Sequence, residues 1–97
     1  MENVTLKLSE VKFNKTFTVS KKFVENFLDQ QYAIQVAQSI LLTLTAEELQ
    51  SVQNECDRIN TELRADFDNL GLSCKDTTPL EYIRRCVLCS VTDHLGL

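Results

Sequence analysis

Between Thr45 and Gly71 the apolar residues fall on a single line. Leu49, Val52, Cys56, Ile59, Leu63, Phe67 and Leu70 recur at steps of 3, 4, 3, 4, 4 and 3 among mostly polar neighbours. Such steps keep one stripe on one side of an α-helix, which turns once in about 3.6 residues. The segment is therefore a long amphipathic helix that needs something to cover one side. Its ends are marked. Thr45-Ala46-Glu47-Glu48 forms a capping box, in which the Thr hydroxyl and the Glu carboxylate each satisfy a backbone N–H of the first turn. Gly71 supplies a left-handed C-cap. A chain of 97 residues makes one domain, residues 1–97, so the cover must come from within it or from a second copy.

The N-terminal region has a different period. Val4, Leu6 and Leu8 alternate with Thr5, Lys7 and Ser9, and Phe17 and Val19 alternate with Thr16 and Thr18. Alternation by two is the mark of half-buried strands, so residues 3 to 19 read as a β-hairpin turning at Asn14-Lys15 or at Ser9-Glu10. Two strands are marginal in water and must rest on helices. Ser20 can cap the next helix, with Val19 and Val24 as a hydrophobic staple. Phe23, Val24, Phe27, Leu28, Tyr32, Ala33, Ile34, Val36, Ala37, Ile40, Leu41 and Leu44 cover more than one face of that helix, which makes it the central element. Thr78-Pro79-Leu80-Glu81 opens a last helix, with proline at the first helical position, that runs to about His94 ahead of Gly96. The expected fold is α+β and mostly helical: an N-terminal β-hairpin packed on three α-helices, in the order ββααα.

An apolar fraction of 43% with one proline and two glycines gives no case for disorder. The net charge of −4 is unevenly placed, with Glu47, Glu48, Glu55, Asp57, Glu62, Asp66 and Asp68 set against Arg58 and Arg64. No stripe of Lys and Arg faces one way, which disfavours direct nucleic-acid binding and favours a basic protein partner. The start, Met1-Glu2-Asn3-Val4, lacks a signal-peptide pattern. The longest apolar-rich stretch, residues 33 to 44, is broken by Gln35, Gln38, Ser39 and Thr43 and falls short of the roughly 20 residues of a membrane span. No membrane association and a cytoplasmic location are expected. Cys56, Cys74, Cys86 and Cys89 are then expected as reduced thiols, and the sequons at Asn3 and Asn14 carry no weight.

Chemistry is sparse. Cys74, Cys86, Cys89 and His94 together supply four zinc-type ligands. On one unbroken helix, however, His94 is rotated about 140° from Cys89, and nothing from Pro79 to Leu95 would break it. A redox role needs the first cysteine at a helix N-terminus, whereas this pair lies mid-helix. His94 suits the helix C-terminus, and no serine or cysteine is placed with it for nucleophilic catalysis. Two glycines cannot build a phosphate loop. The carboxylates read as a solvated face rather than a hydrolytic pair. Neither an enzyme nor a bound cofactor is expected.

Two surfaces read as binding sites. The acidic residues Glu55, Asp57, Glu62, Asp66 and Asp68 form one. The other lies on the last helix, whose core side is Leu80, Ile83, Val87 and Val91, while Tyr82, Cys86 and Cys89 at i, i+4 and i+7 fall on roughly the opposite side. Three things could cover that second side: the chain itself, for instance with this helix between the first helix and the hairpin; a homo-oligomer contact; or a foreign protein. The expected function is a small acidic interaction module, an adaptor or inhibitor that binds and occludes a basic protein, of a size and charge that suit a viral or mobile-element product. Two rivals stand beside it. One is a small-ligand protein holding an anion or nucleotide at Lys21 and Lys22, where free N–H groups and cations meet. The other is a zinc-stabilised module using Cys74, Cys86, Cys89 and His94.

Overall fold

The computed structural model describes residues 2–26, 29–71 and 76–96. Strands β1 (Asn3–Lys7) and β2 (Thr16–Ser20) pair antiparallel, from Asn3 opposite Ser20 to Lys7 opposite Thr16. The alternation in the sequence becomes a two-sided ribbon, with Leu6, Phe17 and Val19 buried and Thr5, Thr16 and Thr18 exposed. Neither expected two-residue turn closes it. The connection runs from Leu8 to Lys15, with the Leu8 N–H donating to the Lys15 carbonyl at 2.7 Å and Glu10 held at φ 66°. The connection is long because its side chains have work elsewhere: Leu8 is buried, and Val11 and Phe13 pack against the core.

The expected ββααα order holds, with one correction. The first helix divides into a short α1 (Lys21–Glu25) and a longer α2 (Gln30–Thr43). Local chemistry explains the break. Asn26 leaves helical geometry at φ −137°, and the Asp29 carboxylate accepts the Tyr32 N–H at 3.1 Å as the N-cap of α2. Short polar side chains that bond nearby backbone compete with helix continuation. The break also accounts for apolar residues on several faces, since Phe23 and Val24 belong to one axis and Ala33, Ala37 and Ile40 to another. Phe27 and Leu28 lie outside the described residues.

Helix α3 (Ala46–Asn69) begins at the expected capping box: Thr45 Oγ1 accepts the Glu48 N–H at 3.1 Å, and Glu48 Oε1 accepts the Thr45 N–H at 2.9 Å. Gly71 takes φ +70° after it, as a C-cap glycine should. Thr45→Ala removes the hydroxyl half of the box and should cost about 1 kcal/mol, read as a lower urea midpoint; an unchanged midpoint would mean that α3 does not depend on its cap. Helix α4 (Pro79–Leu95) is the hub. Ile83, Val87 and Val91 are fully buried, and α4 packs chiefly on α2, with α3 and β1 alongside.

The stripe on α3 closes only in part. Val52 and Cys56 are buried, Ile59, Leu63 and Phe67 are half-buried, and Leu70 is 72% exposed. The segment before α4 is tied to the middle of α3 by two hydrogen bonds between the Asn60 side chain and the Thr77 backbone, at 2.7 and 3.1 Å, and by the Arg64–Asp76 ion pair.

Candidate functional site

The second side of α4 is covered by the chain itself. The hairpin connection lies across it: the Tyr82 hydroxyl donates to the Glu10 carbonyl at 2.9 Å, and the Ser9 N–H donates to Ser90 Oγ at 2.9 Å. Ser9 Oγ in turn donates to Asp93 at 3.0 Å. Tyr82 is left 5% exposed and Cys86 1%, with Cys89 half-buried. Helix α4 is thus sandwiched between α2 and the hairpin region. Tyr82 and Cys86, read from the sequence as partner contacts, are buried in the core of the chain, where Ser9 and Glu10 of the hairpin connection bond to the same side of α4. Burial pushes the Cys86 thiol up to about 12, with the Glu10 charge adding to it, and burial pushes the Tyr82 hydroxyl up to about 12 as well. Both groups are uncharged at neutral pH.

The acidic residues of α3 do not form one face. At about 100° per residue, Glu55, Glu62 and Asp66 stand within about 40° of one another, while Asp57 and Asp68 lie roughly opposite. Of the first set, Glu55 meets the hairpin connection through Lys12 at 3.4 Å, and nearer the start of α3 Lys15 pairs with Glu48 at 3.9 Å. Arg58 bridges Glu55 at 3.0 Å and Glu62 at 3.1 Å. The Arg58 guanidinium beside Glu55 holds its carboxyl below the usual carboxylate range. Asp57, Asp66 and Asp68 are exposed and carry no ion pair among the described residues.

The same geometry places the residues of the two rival sites. Helix α4 is unbroken from Pro79 to Leu95, so Cys86 and His94 stand about 12 Å apart along its axis. Cys86 is buried, whereas His94 is exposed in the last turn. Cys74 lies outside the described residues, and Cys56, Cys86 and Cys89 are free thiols. Lys21 and Lys22 open a helix of only five residues; Lys21 pairs with Glu2 at 3.1 Å, and the Ser20 hydroxyl takes the Phe23 N–H.

Two surface features escaped the sequence reading. One is an apolar groove of about 450 Å³ where α2, α3 and α4 meet, lined by Gln38, Leu41, Leu42, Leu49, Pro79 and Leu80. Leu42 in it is 88% exposed. The signal was present: Leu42 is the apolar residue of α2 that does not fit its helical set. The other is a cleft of about 380 Å³ between β2 and α2. No periodicity announces it, because it depends on the distance between two elements. Among the described residues no helix is long and apolar enough to cross a membrane. No protein-family model, curated protein or solved structure matches the chain.

Proposed function

We propose that the chain is a small non-catalytic interaction module, an adaptor or inhibitor in the cytoplasm, that binds a protein with an apolar anchor and basic flanks. The observation that carries this reading is the solvent-facing groove around Leu42. A large apolar side chain left 88% in water, beside Leu41, Leu49 and Leu80, is what a contact for another protein leaves when that protein is absent. Charge supports a basic partner, since the net charge is −4 and Asp66 and Asp68 near the far end of α3 are not neutralised by ion pairs among the described residues.

Two variants test it. Leu42→Glu lies on the surface and should leave thermal stability within about 0.5 kcal/mol of the parent. Glu62→Lys with Asp66→Lys reverses the charge of the α3 edge. Affinity capture followed by native mass spectrometry should recover a partner with the parent chain, lose it with Leu42→Glu, and retain less of it with the charge reversal at low salt. Recovery that is equal for all three chains would remove the proposal.

A further inference from the structure

Among the described residues the outer edge of β2 has no neighbouring strand. The Lys21 N–H donates to the Glu2 carbonyl and the Leu8 N–H to the Lys15 carbonyl, so the hydrogen-bonded pairs of the ladder are 2 with 21, 4 with 19, 6 with 17 and 8 with 15. The intervening residues of β2 therefore aim their backbone N–H and C=O groups away from β1. Ser20 shows where they aim, for its N–H donates to the Tyr32 hydroxyl on α2 at 2.9 Å. The outer edge of β2 faces α2.

Among the described residues the outward backbone groups of Thr16 and Thr18 have no such partner. Between them and α2 lies the 380 Å³ cleft, with Thr16, Phe17 and Thr18 on the strand side and Gln35, Ser39 and Thr43 on the helix side. Val36 and Ile40 supply its apolar part. Its two ends are tied, at one by the Tyr32–Ser20 bond and at the other by Lys15 Nζ donating to the Thr43 carbonyl at 2.9 Å. None of the residues lining it is charged.

We propose that this cleft binds an extended, uncharged peptide segment of another protein, which adds beside β2 as a third strand. An edge strand with unpaired backbone groups, walled by a helix, gives main-chain hydrogen bonds for affinity and a pocket for alternate side chains. The outward groups of Thr16 and Thr18 supply two N–H donors and two carbonyl acceptors. The hydroxyl and amide lining selects Ser, Thr, Val or Ala at the inward positions, and the lack of charge disfavours a basic or acidic segment. This surface is separate from the Leu42 groove, so either site can fail without the other.

The experiment is selection from a displayed library of random octapeptides against the intact chain, followed by binding and amide-exchange measurements on the peptides obtained. Selected sequences should be uncharged at alternate positions and free of proline at their centre. Their binding should slow amide exchange at Thr16 and Thr18. Ser39→Arg, which puts charge and bulk into the cleft without touching the ladder, should weaken binding by about tenfold or more. Thr18→Pro removes an outward N–H that the ladder does not use and should do the same, while Leu42→Glu should change nothing. Failure to select peptides, equal binding to Ser39→Arg, or protection of residues elsewhere would overturn the proposal. So would slowed exchange at Thr16 and Thr18 that rises with protein concentration alone, which would give the edge to a second copy.

Discussion

Ile83→Ala lowers the stability of the chain by about 3 kcal/mol, the expected result for truncating a fully buried aliphatic side chain and leaving a cavity behind it. Ile83 stands on α4, which meets α2, α3 and β1, so no single neighbour can move in to fill the space. A domain of this size has a total stability of roughly 5–15 kcal/mol, and the loss is a large share of it. The melting temperature should fall by about 12–24 °C, followed by circular dichroism. A fall of a few degrees would mean that α4 is not the hub and that the sandwich around it is loosely packed.

The second large effect is with pH. Cys86 and Tyr82 both lie under the hairpin connection, and burial first, then the nearby Glu10 for Cys86, raises each to about 12. Their ordinary values are 9.0 and 10.0. A group whose pKa is raised by folding contributes stability that is fully present below its unfolded value and is lost as pH rises towards the folded value. From neutral pH to about pH 9 stability should therefore be level, and it should decline steeply from about pH 9 to pH 12. Urea midpoints measured across that interval will show the slope. In a Cys86→Ala, Tyr82→Phe chain the midpoint at neutral pH is lower but the slope is shallower. The same slope in both chains would place the titrating groups elsewhere.

Both predictions depend on the placement of α4, which was half legible. Its cap at Thr78, proline at Pro79 and core side of Ile83, Val87 and Val91 follow from residues within a turn or two of one another. The hairpin, the capping box at Thr45 and the glycine stop at Gly71 were legible for the same reason. The division between α1 and α2 had its signal in Asn26 and Asp29, but the continuous helical spacing of apolar residues around them concealed it.

What covers the second side of α4 was not in any local pattern. Tyr82, Cys86 and Cys89 look the same whether a partner, a second copy or the chain's own hairpin connection lies over them. The deciding contacts join Glu10 to Tyr82 and Ser9 to Ser90, 72 and 81 residues apart, and they exist only once every element between has been placed. The same holds in part for the acidic residues of α3: their division between two sides follows from helical spacing, but the pairing of Glu55 with Lys12 of the hairpin connection exists only in the folded chain. It holds too for the cleft beside β2, which exists only once α2 lies alongside that strand. Caps and periodicity express interactions within about four residues, and the sequence by itself determined those. Long-range contacts are selected by the burial they achieve together, which only the tertiary structure decides.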